Sequence, residues 1–243
     1  MRFQIATMCE QGTRKQNEDY LAYRTAEGAF CFVLCDGLGG LSGGAIAAKS
    51  VCEATLAAWE PGGEPDNIVR KILYAGSYAL RELQDLTPEP HLKTTVVAAV
   101  VTRHGRLAVG HTGDSRCYLF RKNKILLQTK DQTVAQAHLD RGTAHEKDVR
   151  RSPNRHKLLH VMDENWDDDR MTLDMGYTLH WNDAILLCSD GFWEFVPERE
   201  MRKCLRQADS ADAWLASMKA QWNLHAAGNA RDNSSAIAIL AQE

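Results

Sequence analysis

The sequence predicts an α+β protein with antiparallel pairing, not a doubly wound parallel sheet. Strand patterns follow one another through the middle of the chain with only short turns between them, and such neighbours pair antiparallel. Long amphipathic helical stretches come in pairs before and after that run, and each pair needs a sheet face to cover. No internal repeat, low-complexity tract or domain-separating linker interrupts the 243 residues, a length that suits one large domain or two small ones.

The elements follow in order. Phe3–Thr7 is a first strand, and the unbroken apolar run Phe30–Cys35 is a buried one. Gly44–Trp59 places Ile46, Ala47, Val51, Ala54, Thr55 and Ala58 on one side of a helix. Asp66–Leu86, entered through Pro65, places Ile68, Ile72, Ala75, Ala79, Leu83 and Leu86 along one stripe. The strands Thr95–Val101, Arg106–Gly110, Ser115–Arg121 and Ile125–Leu127 come next, with hairpin loops at Arg103-His104-Gly105 and Arg121-Lys122-Asn123-Lys124. Asp131–Arg141 and Glu146–Arg151 read as helices, Thr172–Leu179 and Ala184–Ser189 as strands, Glu198–Gln207 and Ala211–Leu224 as helices, and Ala236–Leu240 as the last strand. Within this order, Gln132–Asp169 is the most polar and least strand-like stretch, and reads as a lobe outside the core.

Composition removes several classes of function. A net charge of −3, from 29 basic and 32 acidic residues, disfavours a nucleic-acid binder that relies on bulk positive charge. No apolar run approaches the ~18 residues of a membrane span. Met1–Thr7 lacks the apolar core of a secretory signal. Most of the seven cysteines (Cys31, Cys35, Cys52, Cys117 and Cys188 among them) lie in apolar runs and read as buried free thiols. Cys31 and Cys35 face one side of a strand, but no further soft ligands accompany them as a zinc site requires. A reduced, cytoplasmic setting is expected.

The informative residues are acidic. Glu18 and Asp19 lie in Asn17-Glu18-Asp19, Asp36 in Asp36-Gly37-Leu38-Gly39-Gly40, Asp190 in Ser189-Asp190-Gly191 and Asp232 in Arg231-Asp232-Asn233, with Asp114 in Gly113-Asp114-Ser115-Arg116 as a sixth candidate. Each stands at the end of an apolar run or just past a turn. A lone buried carboxylate is very costly, so these side chains are expected outside the core. If the fold gathers them, their repulsion demands a cation, and an all-oxygen ligand set selects Mg or Mn. The strand Phe30–Cys35 delivers Asp36 rigidly to a glycine bend, where the Gly37 carbonyl is free to face an ion. The run Ile185–Ser189 repeats the device with Asp190. Taken singly, each motif also fits an Asx turn. Arg14 suits a phosphate or carboxylate fork, or an ordinary surface ion pair. A P-loop is excluded because no Gly-Lys-Ser/Thr follows the glycines.

The remaining candidates read as background. His111, His138, His145, His156, His160, His180 and His225 show no metal-ligand spacing and are expected in structural or solvent-facing roles. His156 and His160, with Arg150, Arg151, Arg155 and Lys157, read as a solvated surface, the alternative being engagement of acidic substrate segments. Trp193 reads as packing beneath the acids.

As an ordered set the motifs say more. Gly12-Thr13-Arg14-Lys15-Gln16-Asn17-Glu18-Asp19, Asp36-Gly37-Leu38-Gly39-Gly40, Lys93-Thr94-Thr95, His111-Thr112-Gly113-Asp114-Ser115-Arg116, Lys130-Asp131, Leu187-Cys188-Ser189-Asp190-Gly191-Phe192-Trp193 and Arg231-Asp232-Asn233 resemble the metal-dependent serine/threonine protein phosphatases of type 2C. The likeness is to the stand-alone bacterial members and runs from about Ile5 to Leu240. It implies two packed antiparallel sheets flanked by helices, in a single catalytic domain over 1–243 with a flap at 132–169. It further implies a dinuclear Mn or Mg centre and a metal-activated water. Asp36 would bridge the ions, Asp190 and Asp232 would complete one, and Glu18 and the Gly37 carbonyl the other. Asp19 would hold water beside them, Asp114 with Asp190 would bind a possible third ion, and Arg14 would grip the substrate phosphate.

The implied activity is hydrolysis of phosphoserine and phosphothreonine in proteins, opposing a Ser/Thr kinase, by a monomer. A catalytically silent scaffold of the same fold is the rival reading, and a hydrolase of small phosphate esters a third. Two departures from the family pattern stand out. Leu41 and Gly44-Ala45 replace a His and a Gly-Glu pair, and Lys130-Asp131-Gln132 lacks a common His after the Asp. Leu38 also stands where some members carry a histidine, which leaves a metal-bound water as the expected acid for the leaving group.

Overall fold

The computed structural model describes residues 1–39, 43–87, 92–145, 149–227 and 231–242. One sheet runs β1 (Arg2–Glu10), β11 (Ser234–Gln242), β10 (Ala184–Cys188), β7 (Arg116–Arg121) and β8 (Lys124–Gln128). The other runs β2 (Asp19–Ala26), β3 (Ala29–Leu38), β5 (Val96–Val101), β6 (Arg106–Thr112) and β9 (Thr172–Thr178), with the short β4 (Lys93–Thr94) paired to β3. The pairings within both sheets are antiparallel, as the short connections require.

Strand periodicity builds the layers. Successive side chains point to opposite faces, so β3 sends Cys31, Val33 and Cys35 towards helices α1 (Gly43–Ala57) and α2 (Pro65–Leu86), and Phe32 and Leu34 towards the other sheet. In the facing sheet β10 splits likewise: Ile185 and Leu187 meet the inner face of the sheet that holds β3, while Ala184, Leu186 and Cys188 pack under α5 (Glu198–Gln207) and α6 (Ala211–His225). Both sheets are therefore covered on both faces, which explains why these strands read as continuous apolar runs rather than alternating ones. The order of layers is helix, sheet, sheet, helix. Each fully buried Leu, Ile or Val contributes roughly 1.5–3 kcal/mol. No described helix is long and apolar enough to cross a membrane.

Several elements differ from expectation. Strand β2 carries no clear sequence signal because it is an edge strand whose outer half is exposed, so no buried alternation marks it. Helix α3 (Val134–Asp140) begins three residues later than Asp131, since the Thr133 side chain accepts a hydrogen bond from the Gln136 N–H at 3.2 Å and caps it there. Asp190–Trp193 is a short helix, α4, not only a glycine bend. Of the expected helix Glu146–Arg151, residues 146–148 lie outside the described ones, as do Gly40 and Leu41. The polar stretch Gln132–Asp169 is not wholly apart from the core. Met162 bridges to Thr94, and both Met162 and Trp166 are buried in the cluster under α1 and α2.

Antiparallel register gathers the acids. Asp19 at the start of β2 stands opposite Asp36 near the end of β3. Cys188, the last residue of β10, pairs with Arg116 at the start of β7 and with Ala236 near the start of β11. Asp190 therefore leaves its sheet where Asp114 and Asp232 enter it. All of these positions fall at one end of the sandwich.

Candidate metal centre

Glu18, Asp36, Asp114, Asp190 and Asp232, together with Gly37, line one cavity of about 390 Å³ at that end. Arg14 stands in the same wall, with its Nη2 2.5 Å from Asp232 Oδ2. Asp19 is set behind the wall: it is buried, and its Oδ2 accepts a hydrogen bond from Ser189 Oγ at 2.8 Å. The structure thus brings together every acidic residue singled out in the sequence.

Backbone contacts hold these groups in place. The Asp36 carbonyl accepts from the Thr95 N–H at 2.8 Å and from Thr94 Oγ1 at 2.9 Å, and the Asp36 N–H donates to Thr95 Oγ1 at 3.1 Å. Gly37 lies against the start of α1, where a Cβ would sit 2.1 Å from the Gly44 carbonyl oxygen, so only glycine permits this approach. The same applies to Gly191, where a Cβ would fall 2.0 Å from the Asn233 carbonyl oxygen. Trp193 is buried as expected and also donates its indole N–H to the Asp114 carbonyl at 2.9 Å.

Two positioning residues were not foreseen. The buried Asn233 accepts from the Glu18 N–H at 2.9 Å and donates to the carbonyls of Gln11 at 2.8 Å and Gln16 at 3.0 Å, so one amide ties the loop carrying Arg14 and Glu18 to the start of β11. Gln132 accepts from the Gly113 N–H at 2.9 Å and from Thr112 Oγ1 at 3.0 Å, fixing the turn that carries Asp114. It stands where a histidine was noted as missing. Both are polar residues next to an acid, and that adjacency was the available signal.

Two expectations need correction. The acids were expected outside the core, yet Asp19, Asp114 and Asp190 are buried, and Asp36 is only partly exposed. A shared polar cavity makes this possible, but it raises their proton affinities. Burial pushes Asp19 up to about 7, against the pull of Ser189. Burial, then the neighbouring Asp19 and Asp190, holds Asp36 well above the usual carboxylate range. Asp114 is shifted the same way by burial and Asp190. His156 is the second correction: its Nδ1 lies 3.2 Å from Asp190 Oδ2 and its Nε2 3.5 Å from Glu194 Oε1, so it faces the cavity rather than solvent alone. The hydrogen bond to Asp190 raises the His156 pKa.

This donor set fits hard divalent cations. Five carboxylates and Gly37, which the structure places within the end of β3 rather than in a bend, converge from separate segments, and Arg14 is the one arginine or lysine in the wall among the described residues. Asp19 Oδ1 is buried with no hydrogen-bond partner among the described residues, an orphan expected where an ordered water or ion belongs. The proton affinities of Asp36 and Asp114 say the same: these carboxylates cannot all ionise together without added positive charge.

Two packed antiparallel sheets, helices outside each, and an acid-lined cavity at one end are the layout of the type 2C phosphatases. Residues 10–233 match the Protein phosphatase 2C family, and the chain belongs to it. It is 27% identical over 210 residues to the serine/threonine protein phosphatase PstP of Mycobacterium tuberculosis, a match covering 86% of this chain and 40% of that protein. The chain thus spans well under half the length of that relative. The serine/threonine phosphatase stp of Listeria welshimeri is 27% identical over 202 residues, 75% of this chain and 76% of the relative. Among solved structures, the M. tuberculosis phosphatase PstP/Ppp superposes with a TM-score of 0.86 at 26% identity, over 99% of each chain. The catalytic domain of PstP in complex with two manganese ions gives 0.82 at 26% identity, again over 99% of each. Stp1 of Staphylococcus aureus gives 0.85 at 23% identity, over 100% of this chain and 96% of that one, a likeness of fold.

Proposed function

We propose that this chain is a metal-dependent protein serine/threonine phosphatase that hydrolyses phosphoserine and phosphothreonine in proteins, reversing the action of a Ser/Thr kinase. The observation that carries the reading is the convergence of Glu18, Asp36, Asp114, Asp190 and Asp232 on one cavity with Arg14 in its wall. Asp36, Asp190, Asp232, Glu18 and the Gly37 carbonyl would hold two ions, and Asp114 with Asp190 a further one. Mn or Mg there supplies the Lewis acidity that activates a water and offsets charge on the transferred phosphoryl group.

The chain's own residues do the rest. Arg14 is 59% exposed in its side chain, so its guanidinium can turn from Asp232 to two phosphate oxygens and orient them. Asp19, anchored by Ser189 behind the wall, offers its Oδ1 as an acceptor that would hold an ordered water beside the ions. The water oxygen bonds to phosphorus as the serine or threonine P–O bond breaks; one proton of the water stays with the inorganic phosphate, the other is passed on through solvent to the departing alcohol oxygen, and inorganic phosphate leaves. Leu38, in the same wall, provides no proton where some relatives carry histidine.

The test is turnover of a phosphothreonine peptide with Mn, its loss on chelation, and its loss in Asp36→Asn. Two ions bound, measured by calorimetry, with no turnover of any phosphoester would assign the fold a scaffold role instead. Faster turnover of small phosphate metabolites than of peptides would overturn the protein-substrate claim.

A further inference from the structure

A second and larger cleft, of about 1150 Å³, opens beside the acid-lined cavity and shares Arg14, His156 and Asp232 with it. Its volume exceeds the range of about 300–1,000 Å³ usual for small-molecule pockets and suits a length of chain. Arg150, Arg151 and Arg155 of the polar 132–169 stretch line it, and Arg231 lines it from the other side.

Charge decides what this cleft would accept. Counting Arg116 behind Arg150, six guanidiniums gather here. Among the described residues, four carboxylates touch them: Asp232 on Arg14, Glu194 on Arg155, Glu198 shared by Arg150 and Arg116, and Asp131 on Arg116. Arg151 is exposed and has no partner among the described residues. Among the described residues the Arg231 guanidinium meets only the neutral Asn223 Oδ1, at 3.3 Å, and sits over the Trp222 ring at 5.1 Å, which orients it without neutralising it. Among the described residues that line the cleft itself, five arginines thus face only Asp232 and Glu194, in a chain whose net charge is −3.

We propose that this cleft docks the acidic flank of the phosphorylated segment, so that the preferred substrates carry carboxylates or further phosphates beside the scissile phosphoserine or phosphothreonine. The proposal rests on the phosphatase reading of the adjoining cavity. Arg14, common to both spaces, marks the junction between scissile phosphate and flank. An extended peptide advances about 3.3–3.6 Å per residue, so the recognised charges lie within a few residues of the scissile one.

The experiment compares three phosphothreonine peptides, with neutral, aspartate-rich or phosphoserine-bearing flanks, on the full chain with Mn. Wild type should favour the charged flanks by up to about tenfold in kcat/KM, chiefly through KM, and the advantage should shrink with salt. In Arg151→Ala/Arg231→Ala the ratio of charged to neutral peptide should fall towards one. Arg151→Glu, a change at an exposed position, should lower it too, and keeps the test alive if the double variant does not fold. A gain for both flanks assigns any acidic group as the determinant; a gain for the phosphoserine flank alone assigns a second phosphate. Equal kcat/KM for all three peptides, or an undiminished ratio in the variants, overturns the proposal. If wild type turns over neither these peptides nor an aryl phosphate, the phosphatase reading fails by itself. Fluorescence anisotropy of the same peptides then decides the docking claim, which equal binding of neutral and acidic peptides overturns.

Discussion

Asp19 and Asp36 stand directly opposite one another across the β2–β3 ladder, and neither is paired with a cationic side chain among the described residues. Like charges in that position destabilise a sheet. Burial intensifies the effect, holding Asp19 up to about 7 and Asp36 higher than an ordinary carboxylate. The sandwich tolerates this pair either by keeping protons or by gathering cations at the same end.

That choice makes stability depend on pH when metal is withheld. Both carboxyls bind protons more tightly folded than unfolded, so their contribution is complete below the unfolded value of 3.8 and is lost as pH rises through the folded one, about 7 for Asp19. The melting temperature in chelator should therefore fall between pH 5 and pH 8, and added Mn should restore it by an increment that grows with pH. Thermal melts across that range check this; a chelated protein that becomes more stable as pH rises contradicts it.

Asp36→Asn and Asp190→Asn should each lower turnover by at least about 10²–10³-fold, the scale of losing one group that offsets transition-state charge. The fold should survive, because each change removes a repelled charge. Circular dichroism and steady-state kinetics check the two halves separately, and retained activity in either variant would refute the ligand assignment.

Arg14→Ala should raise KM several-fold or more while leaving the Mn dissociation constant within a small factor. Its guanidinium contacts Asp232 from an exposed position and touches no other acid of the wall. An unaltered KM rules out its role on the phosphate.

Asn233→Ala should cost about 1–3 kcal/mol, since it strands the Glu18 N–H and two carbonyls of the preceding loop. Metal affinity should fall with stability, because the loop carries Glu18. Denaturant melts and Mn titration read the two effects. A stable variant with weakened metal binding would still support the loop's role; wild-type values of both would remove it.

The layers were legible because buried strands announce themselves. Val96–Val101 and Ala184–Cys188 are apolar at every position, being covered on both faces. The acids were legible as strand-end motifs, and antiparallel register brought their ends together. What escaped detection lacked a local signature. Strand β2 is half exposed, so its pairing with β3 is a tertiary fact. His156 reaches Asp190 from 34 residues away along the chain, a contact no spacing rule reports. Asn233 and Gln132 serve through side-chain amides whose partners lie in other loops, visible only once the strands are placed. Burial of Asp19 ran against the rule that carboxylates avoid cores, because a collective site changes the cost to each member.

The most direct test of the central claim is anomalous diffraction from crystals grown with Mn. Peaks within reach of Asp36, shared between Asp190 and Asp232 on one side and Glu18 with the Gly37 carbonyl on the other, are the predicted result. Manganese bound elsewhere, or carboxylates turned away from an empty cavity at saturating metal, would contradict it.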